Sequence, residues 1–373
     1  MTAQENKNPL ETLRPLLPAF RERAAAHDGE DRFVHENYDE LKAAGLFSVA
    51  IPAELGGGGA GYGEVCRLVR EMGQNCSSTA LAYAMHSHPV AANIYKYLHG
   101  MPAEATLRKI AGGNLIIAGT GANDWLGSSG HAEKVDGGYR VNARKHFVSG
   151  APGADVFVTS VRYADGSDQD KVLHFSIPMA SEGICVGDNW LVSGMRGTGS
   201  NDITMENVFV PETAIVAERP ADAWHKMYNI IIPAAMPLIM SAYTGIAENA
   251  AAIARAEAGG RNDDLLPAML GRMENDLTVA TDALAAMIGL HDDYQYAAEL
   301  STVDAIFRRK TIITEKTKAV VDRAAEICGG RAFFRRHPME QLVRDIRAAR
   351  FHPMPVERQL SFTGKLAMDR TPL

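Results

Sequence analysis

The chain has 373 residues, of which 46% are hydrophobic and 22% are charged, and its formal net charge is −7. A soluble globular enzyme of more than one domain typically has this length and composition. The negative charge gives no overall basic field that would attract nucleic acid. The four cysteines are scattered without disulfide or metal-ligand spacing, and the first nine residues are polar rather than an apolar leader. Both features predict a cytoplasmic protein.

Helical periodicity dominates residues 1–114. Leu10, Leu13 and Leu17 recur on one helical face. The glycine run at 56–59 predicts a loop, because consecutive glycines favour neither helix nor strand. A later helical segment carries His86 and His88, which point in different directions because they are two residues apart. The pair is therefore not expected to bind one metal ion, and no metal site is predicted.

Residues 115–221 have the pattern of strands. β-branched and aromatic residues alternate or cluster there, with glycine and aspartate turns between them. Asp136-Gly137-Gly138 is a strong hairpin-turn signal. The pattern predicts an all-β domain between two helical blocks.

Residues 222–373 return to helical periodicity. Their long apolar stripes predict a four-helix bundle. The most apolar stretch, residues 230–246, is interrupted by Pro233 and Pro237 and is shorter than the roughly 20 residues that a spanning helix needs. It predicts a buried bundle helix, and no membrane partner is expected. The whole chain is thus predicted to be α+β, with three domains: residues 1–114, 115–221 and 222–373.

A sharp turn and a short helix follow the last long helix. Gly329 and Gly330 end the long helix, since glycine readily takes left-handed backbone angles. Pro338 opens the next helix, where a missing N–H is tolerated. Pro353 follows the end of that helix and leaves His352 displayed beside it.

Residues 326–357, together with the segments IPAELGGGGAGYGE (51–64) and GMRGTGSNDITMENVFVPE (194–212), resemble the acyl-CoA dehydrogenase superfamily. The resemblance extends over nearly the whole chain. It implies an N-terminal helical domain, a central β-barrel domain and a C-terminal four-helix bundle. It also implies a flavin cofactor, FAD or FMN, and a homotetramer built as a dimer of dimers.

The resemblance assigns flavin contacts to two loops and a turn. Thr120 and Asp124 match positions in the first flavin loop, although its usual Glu and Pro are missing. Phe147 takes the place of a tryptophan that packs on the flavin ring, and Ser149 the place of a threonine whose hydroxyl meets flavin N5. The turn at Gly329 and Gly330 would approach the adenosine-pyrophosphate side of a flavin held mainly by another subunit.

Three departures from the dehydrogenase pattern concern the chemistry. His352-Pro353-Met354 stands where many dehydrogenases have Tyr-Glu-Gly, whose Glu is the catalytic base. The second position at which dehydrogenases carry a catalytic base aligns near Ala235. In many dehydrogenases the arginine after the first bundle helix is followed by a Phe-Gly that helps to hold the neighbouring subunit's FAD, whereas Arg255 is not followed by Phe-Gly. The Phe-x-Ser-Gly sequence ending at Gly150 is more similar to the flavin monooxygenase branch, such as dibenzothiophene monooxygenase.

Four residues are therefore candidates for catalysis. Ser149 could stabilise the oxygen-activated flavin through its hydroxyl. His352 could supply a proton near neutral pH, although a histidine packed at a helix C-terminus is the structural alternative. One of His86 and His88 is expected to face the pocket over the flavin, and a buried structural histidine is again the alternative for each.

Three functions fit these residues. The first is a monooxygenase that uses reduced flavin from a separate reductase, O2 and a small organic substrate. The second is an FAD-dependent acyl-CoA dehydrogenase with a non-standard base and an electron-transfer partner. The third is a flavin-binding protein without catalysis. The missing bases and Ser149 favour the first.

Overall fold

The structure, a computed structural model, describes residues 8–371. Its N-terminal part is helical. Asn8 caps the first helix by accepting a hydrogen bond from the backbone N–H of Leu10. The helices are α1 (Pro9–Leu13), α2 (Leu17–Gly29), α3 (His35–Ala43), α4 (Tyr62–Gly73), α5 (Ser77–Leu98) and α6 (Glu104–Gly113).

The glycine run before α4 is a loop, as predicted. Gly56 has a φ of +92°, an angle that other residues rarely adopt. A side chain at Gly57 is excluded for a different reason, because its Cβ would lie 2.2 Å from the carbonyl oxygen of Ile51. The loop therefore folds tightly back on the segment that precedes it.

The central part is one mixed sheet. The strands are β1 (Ile117–Gly119), β2 (His131–Val135), β3 (Gly138–Val148), β4 (Val156–Tyr163), β5 (Lys171–Pro178), β6 (Ile184–Val186), β7 (Asn201–Pro211) and β8 (Ile215–Pro220). They are ordered β6-β7-β3-β2-β4-β5-β8, and β1 also pairs with β4. Within the described residues this path has two end strands, so hydrogen bonds do not close the predicted barrel.

The predicted hairpin turn lies between β2 and β3. Val135 pairs with Gly138, and Gly137 has a φ of +73°. The two central residues, Asp136 and Gly137, give the short connection that antiparallel strands favour. The turn signal in the sequence thus correctly predicts where the hairpin between β2 and β3 turns.

The C-terminal part contains three long helices and two short ones in the described chain: α7 (Tyr228–Ala258), α8 (Leu266–His291), α9 (Leu300–Cys328), α10 (Pro338–Asp345) and α11 (Val356–Ala367). Helix α7 is long and apolar enough to cross a membrane, but 89% of its most apolar window is buried inside the protein. It is therefore the core helix of the bundle, packed against α4, α5 and α9.

Helix α7 continues through Pro233 and Pro237, whereas the sequence predicted that these two prolines interrupt it. Pro237 cannot donate to the carbonyl of Pro233, four residues earlier. The hydroxyl of Tyr62 compensates by donating to the oxygens of Pro233 (3.3 Å) and Ala234 (2.9 Å). A contact from α4 thus keeps the helix intact where its own sequence would interrupt it.

Candidate active site

The β3 end of the sheet turns one aromatic ring outward. The pairing of β3 with β7 shifts register between Lys145 and Val148, and Phe147 within this bulge has a φ of +60°. A bulge re-aims a side chain in this way. The Phe147 ring is 56% exposed and meets the edge of Trp190 at a centroid distance of 6.1 Å. It therefore offers a face on which a planar ligand could pack.

Ser149 follows this ring and is buried in a chain of hydroxyl groups. Its Oγ lies 2.7 Å from Ser200 Oγ, which lies 2.8 Å from Thr198 Oγ1. Thr198 Oγ1 in turn lies 2.9 Å from the carbonyl oxygen of Met195. Thr198 and Ser200 lie in the segment 194–212 that carries the family resemblance, and the structure connects both hydroxyls to Ser149.

The first predicted flavin loop has a built-in ion pair. Asp124 is buried, lies 3.0 Å from Nζ of the buried Lys145, and accepts hydrogen bonds from the N–H and hydroxyl of Ser129. Burial lowers the pKa of Lys145, and Asp124 opposes that shift. Asp124 therefore shapes the loop, and its carboxylate is already occupied by protein groups. The half-buried Thr120 side chain makes no hydrogen bond within residues 8–371 and remains available to a ligand.

His86 bridges two backbone segments. Its Nδ1 accepts the N–H of Ile117 (3.0 Å), so Nε2 carries the proton and donates to the carbonyl of Phe47 (2.8 Å). Burial lowers the pKa of His86 to about 4. The predicted catalytic role does not suit this residue, because both ring nitrogens are used to hold β1 against the N-terminal helices. Of the two candidates on α5, the geometry favours His88.

A second cluster brings together polar side chains from the helical parts: His88 on α5, Tyr243 on α7, Lys310 on α9 and His352 after α10. The His352 ring lies 5.4 Å from the Tyr243 ring. Lys310 is fully buried and donates to the carbonyl of Met354 at 3.1 Å. Within residues 8–371, none of the four makes a hydrogen bond or an ion pair with a carboxylate. Burial raises the pKa of the Tyr243 phenol, and the buried Asp345 adds to this shift.

Two atoms of this cluster lack hydrogen-bond partners. His88 Nδ1 and the hydroxyl of Tyr243 are buried and make no hydrogen bond with other described residues. A buried polar group without a partner loses its water without compensation, at a cost of about 1–3 kcal/mol. Two such atoms next to His352 indicate a place where a polar ligand or water binds.

The cluster keeps its imidazoles neutral at neutral pH. Burial, with smaller contributions from Lys310 and His88, lowers the pKa of His352 to about 3. Burial lowers the pKa of His88 to about 4 and that of Lys310 to about 8. His352 can therefore take part in hydrogen bonds as a neutral imidazole, which donates through one ring nitrogen and accepts through the other. A donor in its cationic form, as the sequence suggested, is not favoured at pH 7.

Sequence reasoning missed Tyr243 and Lys310. Tyr243 lies in an uninterrupted apolar helix and gives no local signal. Lys310 does, since it occupies the buried stripe of α9 between Phe307 and Ile313. A lysine at a core position of an amphipathic helix is unusual and could have been noticed as a buried amine.

The predicted turn at Gly329 and Gly330 is open. Gly329 has a φ of +69°, and no atom lies within 4 Å of where a Cβ would be at either glycine. The turn therefore has room for a group that approaches from outside the chain. It does not meet the Ser149 hydroxyl chain or the His352 cluster through any contact in the described residues.

Near this turn, Glu257, Cys328 and His337 have potential ligand atoms within 4.8 Å of one another. His337 Nδ1 accepts the N–H of Met339 (3.2 Å), so Nε2 carries the proton and donates to Glu257 (2.7 Å). A metal would need a lone pair on that nitrogen. The grouping therefore holds the start of α10 against α7.

A surface cleft of about 540 Å³ opens between α2, α7 and α10. It contains none of the predicted site residues. Arg344, on its wall, pairs with Asp28 (2.6 Å) and Glu340 (2.7 Å). The pair with Asp28 fastens α10 to α2, and the pair with Glu340 lies within α10, so this wall of the cleft has a structural explanation.

Comparison with known proteins is decisive for the family. The acyl-CoA dehydrogenase N-terminal domain matches residues 11–114, the middle domain matches 119–208 and the C-terminal domain matches 238–356. The chain belongs to the acyl-CoA dehydrogenase family. The predicted α+β fold and the predicted family are thereby confirmed.

Several relatives in the acyl-CoA dehydrogenase family have other chemistry in their names. The chain is 26% identical to the amino sugar nitrososynthase DnmZ of Streptomyces peucetius, over 97% of this chain and 93% of the relative. It is also 26% identical to dibenzothiophene monooxygenase of Mycolicibacterium goodii, over 99% and 96%. A structure of KijD3 with FMN and a dTDP-linked amino keto sugar has a TM-score of 0.87 at 23% identity, covering 99% of this chain and 95% of KijD3. That structural likeness supports the fold.

Proposed function

We propose that this protein is a flavin-dependent monooxygenase that uses reduced flavin and O2 on a small organic substrate. The observation that carries this is the cluster around His352, where two imidazoles, a phenol and an amine meet without a paired carboxylate. A dehydrogenase needs a base to remove a substrate proton. The two usual base positions hold Ala235 and Pro353, which have no acid–base chemistry. The relatives named as a monooxygenase and a nitrososynthase support the same choice.

The residues of the β domain suit a flavin. Phe147 offers an exposed ring face for the planar ring system, and Ser149 lies two residues further with its hydroxyl held in place. Thr120 has a free hydroxyl in the adjoining loop. When bound, reduced flavin would supply the electrons that activate O2 for transfer of one oxygen atom to the substrate.

The residues of the helical cluster then act on the substrate. His88 and Tyr243 each bring an unpartnered polar atom that can orient a polar group. His352, neutral at pH 7, can form hydrogen bonds to the substrate or the attacking oxygen through its ring N–H or its ring lone pair. The buried surroundings exclude water and so limit wasteful loss of activated oxygen.

FMN is the flavin we favour over FAD. In the dehydrogenase pattern, an arginine and a phenylalanine after the first bundle helix reach a neighbour's FAD. Here Arg255 is paired with Glu274 on α8 at 2.6 Å, and Arg261 donates to the carbonyl of Ile327 at 2.6 Å. Both arginines are thus engaged within the chain. With FMN, the turn at Gly329 and Gly330 has no adenosine to meet and is structural.

We further propose a homotetramer, as a dimer of dimers, served by a separate flavin reductase. Phe333 is 90% exposed and Phe351 is 82% exposed. Large apolar rings that face water often mark interfaces. Light scattering is expected to give four chains per particle, and a monomer would contradict the assembly but not the chemistry.

The experiment is an oxygen-transfer assay. The purified protein is supplied with FMN, a flavin reductase, NADH and isotopically labelled O2, with dibenzothiophene and indole as probe substrates. We expect labelled oxygen in a product from at least one probe, and none when the reductase or O2 is omitted. The same probes without label transfer, together with oxidation of an acyl-CoA under anaerobic conditions, would favour the dehydrogenase instead.

A further inference from the structure

The hydroxyl chain behind Ser149 has a direction that the distances determine. Its members are Ser149, Ser200 and Thr198, all buried, and it ends on the carbonyl oxygen of Met195. A hydroxyl has one hydrogen and can also accept, whereas a carbonyl oxygen can only accept. The last contact therefore decides the position of the hydrogen in each of the others.

Thr198 must donate to Met195, because two oxygen atoms 2.9 Å apart need a hydrogen between them. With its hydrogen used, Thr198 can only accept from Ser200, 2.8 Å away. Ser200 has then used its own hydrogen, so at 2.7 Å it can only accept from Ser149. The hydrogen of Ser149 consequently points into the protein.

The hydroxyl chain ends at Met195, and hydrogen bonds hold both the N–H and the carbonyl of this residue. The N–H of Met195 donates to the buried carboxylate of Asp345 at 2.6 Å. Its carbonyl also accepts from the indole N–H of Trp190 at 3.1 Å. Since Thr198 is fully buried, no water can replace Met195 as its acceptor. The fold therefore determines which hydroxyl donates and which accepts in each hydrogen bond of the hydroxyl chain.

We infer that Ser200 and Thr198 are positioning residues that make the site select reduced flavin over oxidised flavin. The inference rests on the proposed function, in which the Ser149 hydroxyl meets flavin N5. Oxidised flavin has only a lone pair at N5, and reduced flavin has an N–H there. Ser149 offers lone pairs alone, so it accepts from reduced flavin and opposes the lone pair of the oxidised form.

Such a preference suits an enzyme that receives its flavin already reduced. The reduced form is captured, and the oxidised form is released for another round in the reductase. The selectivity comes from Ser200 and Thr198, neither of which needs to touch the flavin. Removing either hydroxyl leaves Ser149 in place and frees its hydrogen to turn outward.

The test is the dissociation constant of FMN in each redox state. Oxidised FMN is titrated by fluorescence quenching, and reduced FMN is titrated under anaerobic conditions. In the wild-type protein we expect reduced FMN to bind more tightly. In Ser200→Ala the ratio of the oxidised to the reduced dissociation constant is expected to fall about tenfold, the size of one hydrogen bond gained or opposed. The midpoint potential of bound FMN is expected to fall with it.

Three further variants complete the design. Ser200→Thr keeps the hydroxyl and is expected to restore the wild-type ratio. Thr198→Val, close in shape, is expected to change the ratio in the same direction as Ser200→Ala and provides a second route if that variant folds poorly. Ser176→Ala removes an exposed hydroxyl on β5 and is expected to leave the ratio unchanged.

The outcomes separate the inference from the function beneath it. If both redox states bind and Ser200→Ala leaves their ratio unchanged, the inference is wrong while flavin binding stands. If neither form of FMN binds the wild-type protein, the proposed function fails and the inference fails with it. A ratio that falls in Ser200→Ala and recovers in Ser200→Thr supports it.

Discussion

The two sides of the candidate site satisfy their polar groups in opposite ways. On the sheet side, the hydroxyls of Ser149, Ser200 and Thr198 form a continuous chain. On the helical side, His88 Nδ1 and the Tyr243 hydroxyl are buried without partners. A satisfied network holds a fixed geometry, whereas unpartnered groups gain from a ligand. The sheet side is therefore suited to binding a cofactor of constant shape, and the helical side is suited to binding a substrate.

The largest expected effect concerns the sheet side of the site. Ser149→Ala should lower oxygen transfer by about tenfold to a hundredfold, because the N5–H of reduced flavin would lose its buried acceptor, at a cost of about 1–3 kcal/mol. The melting temperature should change little, since the variant only truncates a hydroxyl. Product formation and thermal unfolding are measured together, with Ser176→Ala as the control. Unchanged turnover would place Ser149 away from the reacting atoms.

On the helical side, His352→Ala should uncouple the reaction. Without the imidazole, product should fall by about tenfold, the size of one lost hydrogen bond, while released hydrogen peroxide rises. Both are quantified with reduced FMN and O2. A purely structural histidine predicts the other result: lower thermal stability with an unchanged ratio of product to peroxide.

Lys310→Met tests whether the Lys310 amine is a buried titratable charge on the helical side of the site. The pKa of Lys310 is lowered from 10.5 to about 8 by burial, so the unfolded chain binds more protons between these pH values. Wild-type stability should therefore rise as pH increases from about 8 to 10.5. In Lys310→Met this rise should be smaller, and the pKa of His352 should move up from about 3.

Chemical denaturation across this pH range measures the first effect, and NMR titration of the histidines measures the second. Lys318→Met is the matched control, because Lys318 lies on the same helix and pairs with Asp322 at the surface. If both variants give the same pH profile, Lys310 is not the buried charge that the structure indicates.

The smallest expected effect lies outside both sides, in the helix that supports them. Tyr62→Phe removes the donor to the carbonyls of Pro233 and Ala234 and should destabilise the protein by about 1–2 kcal/mol. Tyr97→Phe is the control, since the Tyr97 hydroxyl makes no hydrogen bond within residues 8–371. Urea denaturation measures the free energy of unfolding. Equal losses in both variants would mean that Tyr62 does not hold α7 together.

Sequence alone predicted what local chemistry determines. The Asp136-Gly137 turn, the glycine loop before α4 and the start of α10 at Pro338 each follow from a few adjacent residues. The continuity of α7 through Pro233 and Pro237 was missed, because Tyr62 supplies from another helix the hydrogen bond that Pro237 removes. Local rules cannot see that contact.

The candidate site also contains residues that the sequence marks and residues that only the fold brings together. Ser149 and His352 were found because motifs mark them, whereas no motif connects Ser200 and Thr198 to Ser149. His86 and His88 are equivalent in sequence, and only the backbone contacts of His86 separate them. Tyr243 and Lys310 join the site through the packing of three helices, which no linear pattern displays.

The central claim is that this family member lacks a base for acyl-CoA oxidation and works from reduced flavin. The most direct measurement is an anaerobic titration of the FMN-loaded protein with a series of acyl-CoA thioesters, followed by flavin absorbance. We expect the oxidised flavin spectrum to persist with every thioester. Bleaching of the flavin by any acyl-CoA would contradict it and reveal a catalytic base.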